Sequence, residues 1–417
     1  MASSPRPLAF SSPGFAYLAF TGFFVFGEFL YRAAINDLPA DWQIWLLDTA
    51  AALATAVAFY VPYTIFLHGH FDSVRAHRQT IFKVRPVVVC VCHAATLLLV
   101  FSLLAIGGRA VGSPLNDPLG FRQAIQGGGA AYFLVAFLFF LKLQGLIYFS
   151  RWRSNSLTLL DHAAAATTIG FCLISGFASL FAYFFLAGML FLNQRYSVRV
   201  VRLNLVVGFL ALIVFVPLYT VVREQLRFGT QALSPDIWMT FYDRVSIDPL
   251  AVIYDRFDYF DSQTTGSIGA RAYHDTGYIT DTLFQPLPRS IYPEKPLTFS
   301  STLTSKVLPE VYAMGVTVNF GFINEFILYF GDIGPFVAGA FFGMLLCISH
   351  YYFVRGGNDG NTCLIYILGF YPYVSGFPVG FLNDMPLPTL IISMAFLLSL
   401  GWGKWGVEVP ADAVIRN

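Results

Sequence analysis

Long apolar runs separated by short polar connections set the pattern of this chain. A helix that crosses a bilayer needs about 20 mainly apolar residues. The runs at residues 14–31, 46–67, 86–106, 129–149, 157–174, 176–192, 203–222, 333–354, 362–381 and 388–402 meet or approach that length. The stretch 157–192 is too long for one span and is divided at Ser175-Gly176. The pattern predicts an all-α polytopic integral membrane protein of about ten transmembrane helices.

The basic residues agree with that count. With the N-terminus in the cytoplasm, the inside loops carry Arg75, Arg78, Lys83 and Arg85, then Arg151 and Arg153, then Arg195, Arg199 and Arg202. Arg355 falls in the last inside loop, and Lys404 and Arg416 in the tail. The short outside loops hold Arg109 and Arg122, with Arg32 at a span edge, so the excess of positive charge lies inside. A single span over 157–192 would carry Arg195, Arg199 and Arg202 to the wrong side. Both termini are therefore expected in the cytoplasm.

Residues 223–332 break the pattern. They are polar, and on this topology they form one large loop outside the cytoplasm, between an N-terminal membrane part of seven spans (1–222) and a C-terminal part of three spans and a short tail (333–417). A connection this long is uncommon unless it is functional or disordered, and its many aromatic residues argue for order. Ser234-Pro235-Asp236 and Asp248-Pro249 each set a capping residue before a proline at the first helical position. Short helices are predicted at 235–245 and 249–261.

Composition excludes the soluble alternatives. Hydrophobic residues make up 56% of the chain and charged residues 12%, with a mean hydropathy of +0.64, against roughly 25% charged in a soluble domain. A net charge of +1 gives no overall attraction for nucleic acid. The cysteines Cys90, Cys92, Cys172, Cys347 and Cys363 all lie in apolar runs and read as small core residues; Cys90-Val-Cys92 is too tight for a zinc pair. No metal and no cofactor is expected. The first apolar run lacks a small-residue cleavage site and reads as a retained span.

Charges inside spans are functional candidates by default. Glu28 and Arg32, four residues apart, are expected to form a local ion pair; Asp48 and Asp161 lie near span ends, within reach of headgroup water. Lys142, near mid-span, is expected to pair with Asp161 or His162 on the next helix, or to meet a lipid phosphate. Among the histidines, His274 in Tyr273-His274-Asp275 is in the outer segment, and imidazole suits a general base. Gly266-Ser-Ile-Gly269 lacks the Lys-Ser/Thr of a nucleotide loop, and no Asp-x-Asp pair is present in that segment. Asp255, Asp258 and Asp261 recur every three residues, which on a helix makes one solvated face.

The basic residues of the outer segment say more. Arg223, Arg227, Arg244, Arg256, Arg271, Arg289, Lys295 and Lys306 stand among aromatics. The arginine fork binds phosphate through two parallel bonds and keeps its charge. Arg223 and Arg227 share a helical face at headgroup height. In Leu287-Pro288-Arg289-Ser290-Ile291-Tyr292-Pro293-Glu294-Lys295-Pro296 the prolines stiffen the chain around Arg289 and Lys295, and a preorganised cation pair is what a diphosphate leaving group requires. Downstream, Glu325 sits in an apolar, glycine-punctuated run that reaches Gly331-Asp332-Ile333-Gly334. Burial there suits a carboxylate to acid–base work.

At these residues the chain resembles the Wzy-type family of bacterial O-antigen and oligosaccharide-repeat-unit polymerases. The resemblance rests on the Pro-Arg-x-x-aromatic-Pro-x-Lys-Pro string at 288–296 and the Glu-x-x-x-aromatic-Phe-Gly-x-x-Gly string at 325–334. It rests also on a many-span chain with one large outer loop in its second half. Asn324 stands where that pattern has glycine. The resemblance implies a GT-C-like, metal-independent glycosyltransferase of the bacterial inner membrane. Such an enzyme moves a growing glycan from undecaprenyl diphosphate to the non-reducing end of a lipid-linked repeat unit, alongside a chain-length-regulating partner. On this reading Arg289 and Lys295 hold the diphosphate, Arg227, Arg256 and Arg223 add anion contacts, Glu325 is the first choice of base and His274 the second, and the aromatics of 238–260 stack on sugars. The alternatives are an O-antigen ligase, which passes glycan to lipid A core, and a lipid-linked oligosaccharide flippase.

Overall fold

The computed structural model describes most of residues 21–175 and 259–356, the three-residue strands 80–82 and 406–408, and isolated positions such as Gly14, Tyr17, Phe184 and Met239. The chain divides into two compact units. Apart from the two paired strands, β1 (Thr80–Phe82) and β2 (Gly406–Glu408), the described elements are helical. Among the described residues three stretches are long and apolar enough to cross a membrane: Trp42–Phe66, Val89–Val111 and Gly321–Phe353. Ala136–Phe149 and Leu159–Ile174 are shorter apolar helices.

One unit holds residues 81–257 together with short terminal pieces. Its described helices are α3 (Pro86–Val111), α4 (Pro118–Gln126), α5 (Ala130–Arg153) and α6 (Leu159–Ile174), with α3 packed on the other three. Pro86 and Pro118 each open a helix, where a missing N–H costs nothing. Thr158 caps α6 through a reciprocal box with Asp161, and the helix stops at Ile174, where the apolar run is divided in the sequence.

The other unit joins residues 12–80 to 258–400 and a terminal piece. A π-helical turn (Thr21–Gly27) leads into α1 (Glu28–Ala34), followed by α2 (Trp42–Phe71). From the polar segment 223–332 come α7 (Tyr259–Ala272), α8 (Gly277–Phe284), α9 (Phe299–Val307) and α10 (Pro309–Ala313); then α11 (Gly321–Phe330) and α12 (Gly334–Gly356). At Gly331, where φ is +62°, the chain reverses. Phe322 and Phe326 of α11 then stack back on Phe341 of α12, with centroids 6.1 and 5.6 Å apart. The 321–353 stretch is thus a hairpin of one short and one full-length helix.

The predicted spans at 46–67, 86–106, 129–149, 157–174 and 333–354 are helical throughout or nearly so, and the run 14–31 is helical where described. Those at 176–192, 203–222, 362–381 and 388–402, and the predicted helix 235–245, lie outside the described residues but for Phe184 and Met239. Of the predicted helix 249–261 the first ten residues are likewise outside. Helix α7 runs on past Asp261 to Ala272, because its tertiary partners override the weak helix propensity of Ser262 to Gly269.

Helices α2 and α12 make the closest packing in this unit, through small residues. A Cβ on Gly339 would press into the Ala52 carbonyl oxygen and come within 2.7 Å of Thr55 Cβ; one on Gly343 would lie 3.0 Å from the Ala56 oxygen. Gly339-x-x-x-Gly343 therefore faces Ala52-x-x-x-Ala56, the small-residue seam by which helices associate where lipid offers no hydrophobic drive. Tyr60 Oη and His350 Nδ1, 2.9 Å apart, close the far end of this seam. Gly339→Leu is expected to force the helices apart and cost roughly 2 kcal/mol, read as a lower Tm of the purified protein in detergent; an unchanged Tm would deny the close approach.

Candidate functional site

Helix α7 carries few apolar residues, yet it is packed against α1, α2, α9 and α11. Gln263, Thr264, Ser267 and Ala270 form its buried stripe, so the burial is largely of polar groups. A polar face can be buried only where its groups find partners. Partners stand at both ends and in the middle, with Gln263 Nε2 the one buried side-chain atom of this helix left without a hydrogen bond among the described residues.

At the N-terminal end, Asp261 lies 2.9 Å from Arg32 Nη1. The same guanidinium reaches Glu28, 3.2 Å away and one turn back, and Asp37 at 3.3 Å. The local pair expected from the spacing is present, and it is extended to Asp261 of α7. Asp261, read from the sequence as part of a solvated face, instead docks α7 on α1. At the C-terminal end Arg271 grips Asp48 with both terminal nitrogens, at 2.9 and 2.6 Å, while its Nε donates to Asp332 at 3.0 Å. The bond to Asp48 holds the guanidinium above its ordinary pKa against the opposing effect of burial, and Asp332 adds to this. Asp48, expected to reach headgroup water, is instead 5% exposed and closed over by Arg271.

Between the clamps, Asn324 joins α7 to α11. Its amide nitrogen donates to the carbonyl oxygens of Gln263 (3.0 Å) and Phe320 (2.7 Å) and to Gln263 Oε1 (3.1 Å), and its oxygen accepts from Ser267 Oγ at 2.8 Å. A glycine could make none of these side-chain bonds. Gly266 brings the helices close enough, for a Cβ there would sit 2.6 Å from Asn324 Nδ2.

Both candidate bases stand around α11. Glu325, the residue after the hub, is 0% exposed and accepts from Tyr329 Oη at 2.8 Å. His274 follows α7 and is exposed. The Leu328 carbonyl, three residues beyond Glu325, accepts from His274 Nδ1 at 3.0 Å and from the Asp275 N–H at 3.0 Å. A carbonyl oxygen only accepts, so Nδ1 carries a proton, and in the neutral ring Nε2 presents its lone pair. Beside His274, Lys306 Nζ donates to Tyr278 Oη at 2.6 Å and lies 5.0 Å from the ring centre of Tyr273.

Arg223, Arg227, Arg256, Arg289 and Lys295 lie outside the described residues; the stretch carrying Arg289 and Lys295 links α8 to α9. Lys142 is buried in α5, and the partners at Asp161 include Arg151 and His93. His162 meets Tyr148 Oη at 3.0 Å. The pairings of Arg271 with Asp48 and of Asn324 with Ser267 join residues 223 and 57 positions apart, which no spacing rule reaches. Among the described residues no cluster of three or more His, Cys, Asp or Glu could hold a metal ion.

Two outcomes follow from this geometry. Arg271→Ala leaves Asp48 buried beside lost donors and should cost roughly 2 kcal/mol once solvent around the part-exposed guanidinium is allowed for; the double variant with Asp48→Ala should cost less than the two single changes summed, in a thermal double-mutant cycle. Additivity would show that the pair does not dock α7. Asn324→Asp places a second oxygen against three acceptors and should lower the Tm further than Asn324→Ala does.

Comparison with known protein families, with curated proteins and with solved structures finds no match to this chain.

Proposed function

We propose that this protein is a polytopic inner-membrane glycosyltransferase that polymerises a surface polysaccharide, with about ten spans, both termini cytoplasmic and residues 223–332 in the periplasm. The donor is a glycan on undecaprenyl diphosphate and the acceptor a second lipid-linked repeat unit. The motif strings at 288–296 and 325–334 support the family, and the packing of α7 on α11 supports an ordered outer segment. The observation that carries the reading is His274, an exposed imidazole whose Nδ1 is held by the Leu328 carbonyl one turn from Glu325.

The chemistry divides among these residues. Nε2 of His274 takes the proton of the acceptor hydroxyl as its oxygen attacks the anomeric carbon. The bond from that carbon to the diphosphate oxygen breaks, and the lipid diphosphate leaves with its charge met by Arg289 and Lys295, helped by Arg223, Arg227 and Arg256. No nucleotide and no metal is required, since the leaving group arrives on the lipid. Glu325, enclosed and bonded to Tyr329 one turn along the same helix, braces the turn of α11 whose Leu328 carbonyl orients His274. Tyr273 and Tyr278, whose rings flank Lys306 Nζ close in sequence to His274, are candidates for sugar stacking.

Purified protein supplied with lipid-linked repeats should extend them. Arg289→Ala and His274→Ala should each lower the rate by about 100-fold or more, with Arg289→Lys also poor because a point charge does not reproduce the fork. Glu325→Ala should abolish polymer at an unchanged protein level. Normal chain lengths in all of these would end the assignment. A deletion strain distinguishes polymerase from ligase: single repeats on core in the first case, bare core in the second.

A further inference from the structure

The unit containing α3, α5 and α6 buries a chain of polar groups that the proposed transfer does not use. It begins at a backbone carbonyl. Thr96 Oγ1 lies 2.7 Å from the Cys92 oxygen, one turn earlier on α3, and must spend its one proton there. The hydroxyl oxygen is then an acceptor, so the group 2.9 Å from it on Gln144 of α5 is the amide nitrogen. That sets Gln144 Oε1 toward His93 Nδ1 at 3.0 Å. An amide oxygen only accepts, so Nδ1 carries a proton.

The other ring nitrogen, Nε2, lies 2.8 Å from Asp161 Oδ1 on α6. A neutral ring with its proton at Nδ1 would present a lone pair to a carboxylate oxygen across that short distance, which is repulsive. One more proton must stand between them. The far oxygen of Asp161 shows which partner holds it. Oδ2 accepts from the Thr158 N–H and from Thr158 Oγ1, both at 2.7 Å, and Arg151 Nε lies 3.0 Å away. Two donors and a guanidinium favour the ionised carboxylate.

Two further titratable side chains lie nearby in sequence on the described parts of α5 and α6. Lys142 is two residues before Gln144 on α5, about 200° around the helix, and so projects from another side. His162 follows Asp161 and pairs with Tyr148. His93 and Asp161 are 2% and 1% exposed, so neither charge is stabilised by bulk water and each depends on the other.

We propose that His93 and Asp161 form a proton-binding site inside the membrane part, occupied as an imidazolium against a carboxylate, and that the bound proton fastens α3 to α6. Its ligand is a proton alone. When the site empties, two acceptors face one another and the contact between the helices opens.

Solid-state NMR of the full chain in lipid bilayers near neutral pH tests this, with 13C,15N-labelled histidine and carbonyl-13C cysteine. Cys92-His93 is the one Cys-His step in the sequence, so the His93 signals are assigned without any substitution. The expected spectrum shows both ring nitrogens of His93 protonated. In Asp161→Asn the ring should become neutral, with its proton at Nδ1 and a bare Nε2 far downfield. A neutral His93 ring in the native protein overturns the proposal even if the variant fails to fold. An imidazolium unchanged in Asp161→Asn overturns the role of the carboxylate.

Discussion

A polar helix lies against apolar helices at low cost only when the groups on its buried face find partners, and for α7 the pairing of Arg271 with Asp48 is the strongest such anchor. The guanidinium spans two carboxylates of different elements, Asp48 on α2 and Asp332 at the α11–α12 turn. Its planar fork gives direction as well as charge, so it fixes the rotation of α7 and not merely its distance. Arg32 repeats the arrangement at the other end, with Asp261 as the bridging carboxylate. With both ends fixed, the Asn324 hub has partners at bonding distance, and α11 is held between α7 and α12.

The same rule organises the other unit in a different way. There the polar groups lie within the helices themselves, and the run from Thr96 through Gln144 and His93 to Asp161 satisfies each donor with one acceptor. Direction along such a run is set by its first obligate acceptor, a backbone carbonyl. In each unit buried carboxylates meet opposite charge, Asp48 with Arg271 and Asp161 with Arg151, because an unpaired ion in a low-dielectric interior costs several kcal/mol. Where they differ is in purpose: one network docks the polar helix α7, and the other holds a proton between helices.

Small residues complement the polar ones. Gly339, Gly343, Ala52 and Ala56 let α2 and α12 approach to backbone contact, and Gly331 allows the reversal that folds α11 back along α12. Without that hairpin, Glu325 would lie on the approach to a continuous helix. With it, the carboxylate is enclosed among Gly321–Tyr329, all buried, and the Leu328 carbonyl is turned toward His274.

The amino-acid sequence alone determined that the chain is a helical membrane protein, where three membrane-length helices of its described residues run, and that Glu28 and Arg32 pair, because apolar length and i,i+4 spacing are local properties. It also marked α11 and its glycines as a place of interest. Tertiary structure alone decided the rest: that Asp48 is closed over by Arg271 and half-exposed Asp261 pairs with Arg32 to dock α7, that Asn324 is a hub, and that His93 and Arg151 meet Asp161. Those pairings depend on which faces of distant helices meet, and the strength of an ion pair or hydrogen bond is set by burial and orientation that one-dimensional spacing does not contain. Thus Glu325 and His274 were legible as chemistry, but their difference in exposure was not: it arises from a fold-back at one glycine and a single backbone carbonyl.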